Sequence, residues 1–229
     1  MTTLRRLPLL LAAPALAGLL ALGACSAPGQ AGSGQAGSAP ENHGTTTPAS
    51  PAPGGASAGD QSADAAGDAA AILAAAGLKD VDAADPEAVV EALEAIPVAE
   101  RPEGLAASVT AGAVRLRGAD GAEASLPLQR FYLSVAPFVS TTHECTFHAP
   151  VGCKGEQANA SARFTITDAD TGEVLVNEEV STADNGFAGF WLPADRRVTV
   201  TATVGGKSGE VTTGTGADDP TCLTTLRLS

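Results

Sequence analysis

The sequence predicts a mainly β protein: a small β-sandwich with a short helical part ahead of it. Two observations carry this expectation. Beyond residue 160, apolar and polar residues alternate in six short runs separated by Gly, Asn or Asp, as half-buried strands joined by tight turns do. Before residue 100 the periodic segments have helical spacing and carry helix start and stop residues.

The first residues do not belong to that fold. Arg5 and Arg6 precede LPLLLAAPALAGLLALGA, an apolar run interrupted by Pro8 and Pro14. A basic start, an apolar middle and small residues at the end make an export signal rather than a membrane span. Leu22-Gly23-Ala24-Cys25 resembles a bacterial lipobox, in which the cysteine receives diacylglycerol and begins the mature chain. The expectation is therefore a lipoprotein signal peptide at 1–24, lipidation of Cys25, and a chain anchored on the extracytoplasmic face of the cell membrane. The rival reading is an ordinary secretory signal cut elsewhere. Either puts the thiols where they can be oxidised. Residues 25–62 are almost wholly Gly, Ser, Ala, Pro, Thr and Gln. They cannot bury enough apolar surface to offset their conformational entropy, and they read as a disordered tether. His43 lies in it and is assigned no role.

The formal charge is −13. Such an acidic chain lacks the basic face that nucleic acids require. Roughly 165 residues remain after the tether, enough for one ordinary domain or a small domain with an appendage.

Residues 63–130 read as a helical and β-hairpin part. DAAGDAAAILAAA, from Asp64 to Ala76, is helix-prone, and Gly77 is its stop. Asp85-Pro86-Glu87 starts a second helix with an acid cap, a proline in the first turn and an acid near the positive end. Val89, Val90, Leu93 and Ile96 form its apolar stripe, and Pro97 ends it. ASVTAGAVRLRG and EASLPLQ then read as two arms of one hairpin, with Asp120-Gly121 as the turn.

Residues 131–229 are the expected sandwich. FYLSVAPFV is an apolar strand that Pro137 forces to an edge or an end. SARFTIT, EVLVNEEV, GFAGFWLP, RVTVTATV, KSGEVTT and TCLTTLRLS follow as six more strands. The stretch TGEVLVNEEVSTADNGFAGFWLPADRRVTVTATVGG resembles prealbumin-like modules, so the sandwich is expected to be immunoglobulin/prealbumin-like. Phe187 and Trp191 are expected in its core, with Phe190 pointing the other way. Asp218-Asp219 read as a solvated turn.

One stretch stands apart. STTHECTFHAPVGCKGE places His143, Cys145, His148 and Cys153 within eleven residues of a chain with only four cysteines and three histidines. In an extended segment His143 and Cys145 share a face. Pro150 and Gly152 supply a turn that can return Cys153 beside Cys145. Cys222 begins the last strand, which a sandwich can bring alongside. Three cysteines in the folded part is an odd number, which in an exported protein means a free thiol, an intermolecular bridge or a metal ligand. Soft thiolates favour Cu(I), or zinc when four ligands close a tetrahedron. A Cys145–Cys153 disulfide closing a small loop, with Cys222 inert, stands level with a metal site on spacing alone. Glu144 and Glu156 flank the stretch as acids able to orient an imidazole. No Ser-His-Asp set, carboxylate pair or phosphate loop stands out, so no enzymatic turnover is expected.

Beyond these readings, FYLSVAPFVSTTHECTFHAPVGCKGE, TGEVLVNEEVSTADNGFAGFWLP and DDPTCLTTLRL together resemble the CueP family of periplasmic copper-binding proteins over roughly a hundred residues. The resemblance implies copper binding outside the cytoplasm, copper tolerance, and in some members delivery of copper to a secreted superoxide dismutase. It implies Cys145, Cys153 and Cys222 as copper-binding residues that also help reduce Cu(II), with His143 and His148 as the flanking histidines. Copper, as Cu(I), is the expected ligand and zinc the alternative. The tether and lipid site depart from a freely diffusing periplasmic protein and bear on delivery more than on binding. Two rival functions remain: a thiol–disulfide redox protein, which would lack the usual C-x-x-C motif, and a structural surface sandwich whose cysteines only staple it.

Overall fold

The structure, a computed structural model, describes residues 58–229. The signal peptide expected at 1–24, Cys25, His43 and the tether up to residue 57 lie outside the described residues. Among the described residues no helix is long and apolar enough to cross a membrane.

Helix α1 spans Ala58–Ala75. It starts earlier than Asp64, taking in the last residues of the expected tether. Gly77 ends it at φ +85°. There Gly77 N–H donates to Ala74 O and Leu78 N–H to Leu73 O, the paired bonds of a Schellman stop. Helix α2 spans Pro86–Glu94, with Asp85 Oδ1 accepting from the N–H groups of Glu87 and Ala88. Val89, Val90 and Leu93 are buried on one face, as their spacing predicts.

The expected hairpin is a three-stranded meander. ASVTAGAVRLRG divides into β1 (Ala106–Val109) and β2 (Ala113–Arg117), because Ala111-Gly112 makes a turn in which Thr110 N–H donates to Ala113 O. Strand β3 (Glu123–Pro127) follows the turn at Asp120-Gly121. The three strands are antiparallel in the order β1-β2-β3. The alternating residues Val114, Leu116, Ala124 and Leu126 face Ile72, Leu73, Val90 and Leu93 of the helices, building one core.

The second core is a sandwich. Strand β4 (Phe131–Val135) is the centre of a three-stranded sheet. It pairs antiparallel with β7 (Ala188–Leu192) and parallel with the two-residue β10 (Cys222–Leu223). Strands β5 (Ser161–Asp168), β6 (Val174–Ser181), β8 (Arg197–Val204) and β9 (Lys207–Gly214) form an antiparallel sheet in the order β6-β5-β8-β9. Phe131, Leu133 and Val135 of β4 meet Phe164, Ile166, Val198 and Val200 across the layer. All seven strands expected after residue 130 are present, although the last shrinks to Cys222–Leu223 with an isolated bridge at Phe138–Arg227.

The aromatic residues are distributed differently from the sequence expectation. Phe190 belongs to the sandwich core, with its ring centroid 5.0 Å from that of Phe164. Trp191 points the opposite way, against Tyr132 and the helical layer. Phe187 lies just before β7 and packs with Ala136 and Cys222. The reason is register: β7 begins at Ala188, and its sandwich face takes Ala188, Phe190 and Leu192.

Candidate metal centre

The chain between β4 and β5 carries the centre, and backbone bonds fix it at several points. Glu156 Oε2 accepts from the N–H groups of Val139, Ser140 and Thr141 at 2.7, 2.9 and 3.2 Å, closing the loop at its base. These bonds hold the Glu156 carboxyl below its ordinary value. Glu156 is thus a loop brace, occupied by backbone rather than by an imidazole. His148 makes an antiparallel bridge with Val109, whose N–H donates to His148 O at 2.8 Å. Thr221 Oγ1 accepts from His148 N–H at 3.0 Å and donates to Val109 O at 2.5 Å. Ala149 O accepts from the N–H groups of Gly152 and Cys153, which is the return turn that Pro150 and Gly152 predict. Arg101 Nη2 donates to Pro150 O and Cys153 O at 2.9 and 2.7 Å, clamping that turn from outside the loop.

On the far side, Thr221 and Cys222 N–H groups both lie on Thr146 O. This joins β10 to the loop and brings the third sulfur in. The turn at Asn185-Gly186 meets the loop as well. Gly155 N–H donates to Asn185 O at 2.6 Å, and a Cβ on Gly186 would fall 2.5 Å from Gly155 O, so the two backbones touch where glycines stand.

The result is a cluster. One ligand atom each from His143, Cys145, Cys153 and Cys222 lies within 4.8 Å of all the others, a group able to hold a metal ion. Cys145 Sγ and Cys153 Sγ are 3.6 Å apart, in contact but far beyond the ~2.05 Å of a disulfide. His148 stands beside this set: its Nδ1 is 3.7 Å from Cys222 Sγ. Four of the five expected metal-site residues therefore form the group itself, and the fifth backs it. Asp218-Asp219 do not join them. Asp219 Oδ2 accepts from Gly216 N–H at 2.7 Å, a local turn.

Burial is graded across the cluster. His143 is exposed, Cys145 and Cys153 are half-buried, and Cys222 and His148 are buried. Phe187 closes the inner side, its ring centroid 4.7 Å from that of His148 and 6.3 Å from that of His143. Phe147 is exposed at the rim.

The thiols share charge unequally. Cys153 is held far below its ordinary value, first by the Cys222 thiol donating to it, then by His148, the Ala149 backbone and His143 outweighing burial. Burial pushes the Cys145 thiol up to about 11, reinforced by the Cys153 charge. Cys222 rises further, because its proton bridges to Cys153 and its surroundings are dry. Of the three thiols, Cys153 is thus the one most readily ionised. Thiolate is the metal-binding and nucleophilic form of cysteine.

One acid in the site was not singled out from the sequence. Glu94, in the last turn of α2, places Oε1 2.6 Å from His148 Nε2, off the line of the ring N–H. Tyr132 Oη donates to the same oxygen at 3.1 Å, and Asn185 Nδ2 donates to Oε2 at 2.8 Å. Burial alone would raise this carboxyl, but His148, Asn185 and Tyr132 together hold it below its ordinary value. For His148 burial works downward, and Cys153 and Glu94 override it, raising the imidazole to about 9. A signal existed: Glu94 follows Leu93 and lies four residues after Val90, at the margin of the apolar stripe of α2, an uncommon place for an acid without a partner.

Comparison with known proteins agrees with this geometry. The family described as periplasmic copper-binding protein CueP matches residues 88–227. No curated protein matches the sequence. Among solved structures, the crystal structure of S.CueP is similar, with a TM-score of 0.63 and 34% identity over 70% of this chain and 97% of that one. The matched span contains most of α2, the meander, the whole loop and Cys222, and on that ground the chain belongs to the CueP family.

Proposed function

We propose that the protein binds copper outside the cytoplasm as Cu(I), through the thiolates of Cys145, Cys153 and Cys222 with imidazole support from His143 and His148. The observation that carries this is the convergence of three sulfurs and an imidazole within 4.8 Å, from a loop and a distant strand. Soft sulfur donors suit Cu(I), which is satisfied by two or three ligands. Buffering or handing on the ion is the role, with the family supplying copper as the metal. A lipid at Cys25 would keep this activity at the membrane surface, and a secreted copper enzyme such as a superoxide dismutase would be a recipient.

Reduction of Cu(II) is a side capacity of the same sulfurs. Two Cu(II) ions would take one electron each from the Cys145 and Cys153 thiolates. The products would be two Cu(I) ions and one disulfide, with the thiol protons released to solvent. The 3.6 Å contact supports that pairing. This is stoichiometric chemistry rather than turnover, and no enzymatic role is proposed.

An anaerobic Cu(I) titration of the reduced protein against a competing chelator tests the reading, with thiols counted before and after and zinc run in parallel. Stoichiometric Cu(I) binding that is lost in Cys145→Ser or Cys222→Ser is the expected result. Preferential zinc retention would make the centre a structural zinc site. No competition for either metal would leave the cysteines as a staple. For the anchor, mass analysis of the mature N-terminus should find a lipid on Cys25 that Cys25→Ser abolishes.

A further inference from the structure

Glu94 is a nearly buried carboxylate, 13% exposed, on a helix that lies outside the metal-binding loop and supplies none of its sulfurs or imidazoles. Its bonding is fully specified by its neighbours. Asn185 Oδ1 accepts from Phe187 N–H at 2.9 Å, so the amide is oriented with its NH2 toward Glu94. Tyr132 Oη reaches Glu94 as a donor. An ionised carboxylate has only acceptor sites. The third group facing it, His148 Nε2, lies 2.6 Å from Oε1, off the line of the ring N–H; at that distance a nitrogen lone pair would meet oxygen lone pairs, so Nε2 brings a proton. The other ring nitrogen, Nδ1, faces Cys222 Sγ at 3.7 Å.

We infer that Glu94 is a positioning residue that keeps a proton on His148 Nε2, so that Nδ1 is the nitrogen offered to the sulfur cluster. The hydrogen bond made by one ring nitrogen decides what the other can do, and outer partners of this kind orient the ligand and tune its basicity. Phe187 against the ring and the Val109 bridge at the backbone leave His148 little freedom to choose otherwise. With Nε2 occupied, Nδ1 is the nitrogen that faces the sulfurs, turning its proton toward them in the metal-free protein and able to take an incoming metal ion once that proton is lost. The part of this inference that concerns affinity rests on the copper reading above; the part that concerns the ring does not.

The test is ring 15N NMR of the reduced, metal-free protein, repeated after loading with Cu(I), which is diamagnetic. The wild-type protein should show a protonated, pyrrole-type Nε2 in both states, with only Nδ1 changing on loading. A pyridine-type Nε2 in either state overturns the proposal, even if no variant folds. Glu94→Gln can turn its own NH2 toward Nε2. It should release the ring proton, giving a pyridine-type Nε2 population, and weaken Cu(I) retention by ~10–100-fold. Unchanged ring shifts in folded Glu94→Gln overturn it. Tyr132→Phe removes another Glu94 partner without touching the ring, and should leave Nε2 protonated. If it moves the ring as far as Glu94→Gln does, the role is packing and the proposal fails. Ring shifts that respond to Glu94→Gln in a protein that never retains Cu(I) would sink the copper reading and leave the positioning role standing.

Discussion

The two faces of β4 make an instructive contrast. Toward the sandwich, the strand presents Phe131, Leu133 and Val135 to an aliphatic and aromatic layer. Toward the helices it presents Tyr132, whose hydroxyl holds Glu94, and its extension Ala136 reaches Phe187 and Cys222. One strand thus serves a face governed by buried area and close packing and a face governed by proton and sulfur placement. Damage to the first should change stability and leave metal chemistry alone. Damage to the second should do the reverse.

The largest expected effect lies on the second face. Cys222→Ser should lower Cu(I) retention by more than the ~10–100-fold typical of a supporting residue, measured by chelator competition, while the thermal midpoint shifts little. On the first face, Leu133→Ala should lower unfolding free energy by about 2–5 kcal/mol in urea titration, with the Cu(I) affinity of the folded protein unchanged. A loss of affinity there would erase the contrast. Gly189→Ala tests the boundary between the faces. A Cβ at Gly189 would lie 1.8 Å from Tyr132 Oη, so the ring must leave its place over β7. Overpacking of this kind costs about 1–3 kcal/mol. Unlike Leu133→Ala, it should also break the Tyr132–Glu94 hydrogen bond, while His148 Nε2 stays protonated in ring 15N NMR, as in Tyr132→Phe.

The smallest effect concerns the loop base and depends on pH. The folded Glu156 carboxyl is depressed by three backbone N–H donors. A depressed folded value means stability that is present above the ordinary value of 4.5 and lost as pH falls through the folded value. Glu156→Gln should therefore be less stable than wild type at pH 7, and the gap should close toward acid, followed by urea unfolding at stepped pH. A gap that stays constant with pH would assign the bracing to shape rather than charge.

Much of this was legible in the chain. The cap at Asp85, the stop at Gly77 and the strands punctuated by Asp170-Thr171-Gly172, Asn185-Gly186 and Gly205-Gly206 are local signals, and local signals survive folding. The loop's own geometry was legible too, because Pro150 and Gly152 enforce the return that seats Cys153 beside Cys145. What the pattern could not carry was any pairing set by distant register. Phe187 and Trp191 share a sequence parity, but β7 starts between them, so one serves the centre and the other the helical layer. ASVTAGAVRLRG alternates on either side of Ala113-Val114, where its apolar parity shifts, and that shift marks the turn at Ala111-Gly112 that the hairpin reading passed over. Glu94 was missed for the same reason: its partners Tyr132, His148 and Asn185 come from three separate places in the chain.

The graded burial of the ligands gives the centre a direction. An ion arriving from solvent meets His143 at the surface, then Cys145 and Cys153, and reaches Cys222 last. Under the proposed handing-on of the ion, departure would run through the same sequence backwards, with an acceptor protein competing for the outer ligands while Cys222 still holds on. On that reading the centre is a berth with one entrance, loading and unloading at a single quay, and the mooring deepest inside.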